Sequence, residues 1–111
     1  MHHGVILFRI ESLRYFGYVR KGDKGGFVET ENNLSHFGEC WISGDAKIFG
    51  NASVYGNAKV YGNAVVCDYA KVRNEAKVRD DAVVCGTARV CNDAEVCDDA
   101  EVFDNAIVCD D

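Results

Sequence analysis

An aliphatic residue recurs at every sixth position of the chain from Ile42 to Val108, without a gap. The full series is Ile42, Ile48, Val54, Val60, Val66, Val72, Val78, Val84, Val90, Val96, Val102 and Val108. Alanine stands two positions before each later member, from Ala46 to Ala106, and Cys40 opens that second series. Alternate residues of a strand point to opposite faces of a sheet, so both series share one face. The pattern predicts short strands with one buried face and excludes an α-helix.

Turn-forming residues separate these strands. Between an aliphatic residue and the next alanine stand pairs such as Gly50-Asn51, Gly62-Asn63, Asp80-Asp81 and Asp98-Asp99. Gly, Asn and Asp tolerate left-handed backbone angles, so we expect a bend every six residues. A strand of this length cannot bury its face alone, but three strands can close a triangle on which the next triangle stacks. The sequence therefore predicts a parallel β-solenoid in which each residue lies above the one 18 positions earlier.

The repeat pattern of residues 40–111 resembles the hexapeptide-repeat family, whose members form left-handed parallel β-helices and include many trimeric acyltransferases. The preceding segment is also similar to the leader of small phage and bacterial proteins of this kind. It contains Lys21-Gly22-Asp23, Gly25-Gly26-Phe27-Val28-Glu29, Asn33-Leu34-Ser35 and Gly38-Glu39-Cys40-Trp41-Ile42. The resemblance implies an all-β, left-handed triangular helix and a protein of phage or prophage type.

We divide the chain into a cap with an irregular first coil, residues 1–39, and the β-helix proper, residues 40–111. A two-residue insertion near His36 and Phe37 would bring Leu34 and Val28 into the aliphatic register, where they begin the first coil. The apolar residues between positions 4 and 20 predict a strand or hairpin that covers the open end, because terminal units of a solenoid need a cap. About five coils are expected in all.

Composition agrees with a single globular domain, since 48% of the residues are hydrophobic and 27% are charged. The apolar run from Gly4 to Phe8 is too short to span a bilayer or to direct secretion. Six cysteines without an export signal indicate a reducing compartment with free thiols. We therefore expect a cytoplasmic protein, in the host cytoplasm if phage-encoded, without a membrane partner.

Stacking at 18-residue intervals sorts the outward side chains onto three faces. One face carries an apolar strip, which consists of Phe49, Val65, Cys67, Val83, Cys85 and Phe103. A contiguous exposed apolar strip is typical of an interface. We predict self-association through it, with a trimer favoured by the family resemblance and by the prevalence of symmetric homo-oligomers. A foreign partner on the same strip is the alternative.

The other two faces are basic over much of their height. They carry Lys59, Lys71, Arg73, Lys77, Arg79 and Arg89. These side chains could hold a phosphate-bearing small ligand where subunits meet, which is one alternative function.

The net charge of −6 is unevenly distributed. No Lys or Arg occurs from residue 90 onward, and the candidate contacts at this acidic end are Asp93, Glu95, Asp98, Asp99, Glu101 and Asp104. Such an end can imitate a nucleic-acid backbone and occupy the basic groove of a host protein. We therefore predict a non-catalytic binding and assembly module, with inhibition of a nucleic-acid-binding system as its possible task and no direct binding of nucleic acid.

Catalytic residues are not expected. Enzymes of the resembled family use a histidine base and a loop extruded from the helix, and the repeat region has neither. His36 has no neighbouring residue pattern typical of nucleophilic catalysis. An acyl-CoA-dependent acyltransferase stays as a second alternative.

Neither a metal nor a cofactor is expected. Cys67 and Cys85, and likewise Cys91 and Cys109, lie 18 residues apart. We expect reduced thiols acting as small hydrophobic groups, because parallel side chains on a flat ladder rarely reach the disulfide dihedral. A structural zinc site needs four ligands, but one stacked pair of cysteines supplies two. Stacked corner carboxylates such as Asp98 could bind calcium, but solvated turns are the preferred interpretation.

Overall fold

The structure, a computed structural model, describes residues 7–11, 24–35 and 39–110. These residues form short β-strands and one 3-10 helix, Glu31–Asn33. The strands are β1 Phe8–Glu11, β2 Lys24–Val28, β3 Trp41–Ile42, β4 Lys47–Ile48, β5 Ser53–Val54, β6 Lys59–Val60, β7 Val65–Val66, β8 Lys71–Val72, β9 Lys77–Val78, β10 Val83–Val84, β11 Arg89–Asn92, β12 Glu95–Val96, β13 Glu101–Val102 and β14 Ile107–Asp110. No helix in these segments is long and apolar enough to cross a membrane.

The strands form three sheets, and consecutive strands of the repeat region fall on different sheets. The first sheet has the order β1-β2-β4-β7-β10-β13, the second β5-β8-β11-β14 and the third β3-β6-β9-β12. Within the repeat region all pairs are parallel and join residues 18 apart, as in Val66 with Ile48 below and Val84 above. The predicted all-β solenoid is therefore confirmed, with four regular coils between β3 and β14.

The aliphatic and alanine series line the interior. Every aliphatic residue from Ile42 to Val90 has 0% of its surface exposed. A buried valine contributes roughly 1.5–3 kcal/mol relative to an exposed one, so the stack of valines is the main source of stability. Ala100 and Ala106 are exposed, contrary to the uniform interior that the repeat predicts. They lie in the last described coil, and no described coil covers them.

The first residue of every described corner in the repeat region adopts the left-handed conformation, with φ between 57° and 72°. Four of the eleven corners use Asp, and their side chains help to explain the choice. Asp68 Oδ2 accepts a hydrogen bond from the backbone N–H of Gly86 at 3.0 Å, and Asp80 Oδ2 accepts one from Asp98 at 3.1 Å. A corner aspartate therefore satisfies a backbone donor one coil above it.

Strand β1 pairs antiparallel with β2 and covers the N-terminal end of the stack. A Cβ atom on Gly25 would lie 2.5 Å from Ile10 Cγ1, and one on Gly26 would lie 2.5 Å from Ile42 Cγ2. Both positions need glycine because the covering strand and the first regular coil approach the backbone too closely for a side chain. The predicted capping strand is confirmed for residues 8–11, and the rest of the predicted cap lies outside the described residues.

The predicted insertion is also confirmed by the change in register. Val28 pairs with Ile48 and Leu34 bridges Val54, so both pairs are 20 residues apart. The interval returns to 18 at Trp41, which pairs with Lys59. The two extra residues therefore lie between Leu34 and Trp41.

Asn33 is 1% exposed and ties this irregular coil to the next one. Its Oδ1 accepts hydrogen bonds from the N–H groups of Glu29 at 2.9 Å and Thr30 at 2.8 Å. Its Nδ2 donates to the carbonyl oxygens of Gly50 at 3.3 Å and Ala52 at 2.8 Å. An apolar residue could make none of these bonds, so the corner depends on the amide.

Candidate binding surfaces

Two residues of the apolar strip, Val65 and Val83, lie in strands of the first sheet, and the other four directly follow strands of that sheet. Val65 and Val83 are register partners in β7 and β10. Five of the six strip residues are half-buried, and only Phe103, in the last coil, is largely exposed at 53%. Neighbouring side chains on the sheet shield one another, so the strip is a continuous surface rather than a row of protruding groups.

Charged groups bound the strip at its two ends. At the N-terminal end, the guanidinium carbon of Arg9 lies 4.5 Å and Lys47 Nζ lies 5.7 Å from the centroid of the Phe27 ring. At the other end, Glu101 pairs with Val83 in register. Along the first sheet, the outward side chains thus change from basic at the N-terminal end to apolar in the middle and acidic at the C-terminal end. Phe27 precedes the regular repeat, so the 18-residue spacing does not assign it to the strip.

The six candidate residues of the acidic end are all exposed. Among the described residues, one of these six carboxylates forms an ion pair: Glu95 Oε1 lies 3.3 Å from Arg79 Nη2. The hydrogen bond to Glu95 is the largest cause that raises the pKa of Arg79 above its ordinary value. The other five carboxylates have no ion pair within the described chain, so the negative potential of this end is largely uncompensated.

The six basic candidates do not converge. Lys59 and Lys77 lie on the third sheet with Arg79 directly after β9, whereas Lys71 and Arg89 lie on the second with Arg73 directly after β8. Arg79 is bound to Asp80 at 3.3 Å as well as to Glu95. Lys59 Nζ donates to the backbone oxygen of Asn57 at 3.3 Å. A phosphate-binding site within one chain would therefore use the basic residues of the second sheet or those of the third sheet, but not both sets.

The two stacked cysteine pairs differ. Cys91 and Cys109 are joined by a disulfide, with their Cα atoms 4.7 Å apart, so the prediction of reduced thiols is wrong for this pair. β11 and β14 extend over four residues and place the two cysteines directly opposite each other, within the Cα range that a disulfide requires. Cys91 is also 3% exposed rather than a surface residue.

Cys67 and Cys85 are reduced and half-buried. Burial is the largest cause that raises the pKa of the Cys67 thiol to about 12, and the nearby Asp68 carboxylate acts in the same direction. Burial also raises the pKa of Cys85. The Cys67 thiol is therefore protonated at neutral pH, and burial favours the neutral, hydrophobic form of both cysteines.

Two groups of three potential ligand atoms occur among the described residues, each with its atoms within 4.8 Å of one another. They are Cys67, Asp68 and Cys85, and Asp80, Cys97 and Asp98. The repeat pattern alone does not single out Asp68, because an aspartate at a corner is typical of a solvated turn. The left-handed angle at Asp68, φ 63°, instead turns its carboxylate toward the coil above.

His36 lies outside the described residues. No protein-family model and no curated protein matches this sequence. We therefore infer function from the surfaces of the molecule itself.

Proposed function

We propose that the protein is a non-catalytic binding module whose acidic end occupies the basic groove of a nucleic-acid-binding protein. One observation carries the proposal. Six exposed carboxylates surround the last coil, and no Lys or Arg occurs in the sequence after Arg89. A surface of one sign attracts a partner of the opposite sign and repels nucleic acid itself.

The last coil also offers apolar surface inside this acidic rim. Ile107 is 64% and Phe103 53% exposed, and Ala100 and Ala106 are exposed beside them. An apolar centre with a charged rim is the usual composition of a protein interface. Apolar contact supplies affinity, and the carboxylates supply steering and selectivity for a basic partner.

The test is capture of partners from cell extract by the immobilised protein, with mass spectrometry of the bound fraction. We expect a stoichiometric nucleic-acid-binding protein, and we expect it to lose its nucleic acid when the module binds. Capture should be lost when four acidic-end residues are changed together, in Asp98→Asn, Asp99→Asn, Glu101→Gln and Asp104→Asn. Capture should persist in a control with equal charge change elsewhere, in Glu39→Gln, Asp45→Asn, Glu75→Gln and Asp81→Asn. Equal capture by both variants would contradict the proposal.

A second proposal concerns the apolar strip, which we infer to be a homo-oligomer interface. The register partners Val65 and Val83 support it, because they continue the strip without interruption across β7 and β10. Light scattering coupled to gel filtration should report a trimer or another closed oligomer. Val83→Lys should reduce the mass to that of one chain, whereas Ser53→Lys, which adds the same charge on the second sheet, should not. A wild-type monomer would contradict the proposal.

A further inference from the structure

Two thiols and one carboxylate converge at one corner of the solenoid. Cys67 directly follows β7, and Cys85 follows β10 one coil above it in the same parallel ladder. The Sγ atoms of both residues and a carboxylate oxygen of Asp68 lie within 4.8 Å of one another. The Asp68 carboxylate is held in place by the Gly86 N–H, which donates to Oδ2 at 3.0 Å. The backbone therefore positions all three groups before any ligand binds.

We propose that Cys67, Asp68 and Cys85 bind one Zn²⁺ ion, with water in the fourth position. Zinc binds thiolates at about 2.3 Å in tetrahedral geometry, which places two sulfur ligands roughly 3.8 Å apart. Ligand atoms already within 4.8 Å need shifts of about 1 Å or less to reach that geometry. Thiolate ligands favour zinc over magnesium and calcium, which prefer sites made of oxygen alone.

The surroundings suit a metal centre. Val65 and Val83 lie on the same sheet two residues before the cysteines, so apolar side chains flank the site on that side. Both cysteines are half-buried, whereas Asp68 is exposed at the corner, outside the apolar strip. A partly apolar shell strengthens the attraction between the ion and its thiolates.

The neighbouring cysteine groups lack these properties. In the group of Asp80, Cys97 and Asp98 there is one thiol, and Asp80 Oδ2 already accepts hydrogen bonds from Asp98 N and Arg79 Nη1. The thiols of Cys91 and Cys109 are consumed by their disulfide. Among the described residues, Cys67 and Cys85 form the one stacked pair of reduced thiols.

The experiment is titration of the metal-free full chain, handled without oxygen so that Cys67 and Cys85 stay reduced and the Cys91–Cys109 disulfide stays intact, with Co²⁺ as an optical probe and then with Zn²⁺. We expect one Co²⁺ per chain with sulfur-to-cobalt charge-transfer absorption, displaced by one equivalent of Zn²⁺. Cys67→Ser and Cys85→Ser should each abolish the absorption, although the other cysteines remain. Asp68→Asn keeps an acceptor for Gly86 N–H and should weaken binding by about tenfold or more. Cys97→Ser is the matched control and should bind as the wild type does.

Circular dichroism of each variant shows whether its fold is intact, and serine at these outward positions should preserve it. Absence of charge-transfer absorption in the wild-type protein handled without oxygen would overturn the proposal. The same absorption in Cys67→Ser or Cys85→Ser would also overturn it, because the metal would then be bound elsewhere.

Discussion

Replacement of Asn33 by alanine tests whether the irregular first coil depends on one buried amide. The side chain makes four hydrogen bonds, but they are not equivalent. Glu29 N–H also donates to Ile48 O at 3.1 Å, and the bond to Gly50 O is long at 3.3 Å. The substitution therefore mainly affects the N–H of Thr30 and the carbonyl of Ala52.

Each buried polar group without a partner costs about 1–3 kcal/mol, so we expect Asn33→Ala to lower the free energy of unfolding by roughly 3 kcal/mol. Urea unfolding measures this loss, with the fluorescence of Trp41 in β3 as one probe and far-ultraviolet circular dichroism as the other. Asn51→Ala changes an exposed corner asparagine and should alter stability by less than about 0.5 kcal/mol. If both variants lose the same amount, the amide of Asn33 does not stabilise the coil as argued.

Asn33→Asp sharpens the test through its pH dependence. The acid keeps the two acceptor bonds but places its second oxygen near the carbonyl of Ala52, so the charged form is disfavoured and the folded-state pKa of the new carboxyl is raised. A raised pKa means that stability is fully present below the unfolded pKa of about 3.9 and is lost as pH rises through the folded value. We expect the variant to be more stable at pH 3.5 than at pH 7 relative to wild type. An unchanged difference between these pH values would contradict the reasoning.

Three further predictions concern the core and the cysteines. Val78→Asp places an uncompensated charge in a position that is 0% exposed, so we expect no cooperative unfolding transition by circular dichroism; a folded variant would contradict the valine-lined interior. Changing Cys91 and Cys109 together to Ser removes a disulfide that closes an 18-residue interval, so we expect a loss of about 3 kcal/mol in urea unfolding; a non-reducing peptide map without the linked pair would contradict the assignment. In the metal-free folded protein at pH 8, iodoacetamide should modify Cys67 roughly a thousandfold more slowly than in the urea-unfolded chain, because the pKa of the thiol is raised from 9.0 to about 12. Equal alkylation rates in the folded and unfolded chains would contradict the raised pKa. The same shift means that the thiol's contribution to stability is present below pH 9 and is lost as pH rises toward 12.

The repeat itself was predictable because its causes are local. A strand alternates its faces at every residue, so alanine and valine two positions apart share an interior, as Ala76 and Val78 do. Gly, Asn and Asp at every sixth position tolerate the left-handed angle that each corner adopts. These preferences act over six residues and are visible in the sequence. They sufficed to predict the three sheets, the 18-residue register and the two-residue insertion before Trp41.

What the tertiary structure alone decided depends on contacts between coils and on the ends of the stack. Cys91 with Cys109 and Cys67 with Cys85 have the same spacing, yet one pair forms a disulfide and the other remains reduced. Asp68 reaches the thiols only because its left-handed corner turns the carboxylate toward the next coil. Ala100 is exposed because no described coil lies above it. A periodic sequence specifies the repeating unit, but strand length, side-chain direction at a corner and the presence of a neighbour are set by the assembled coils.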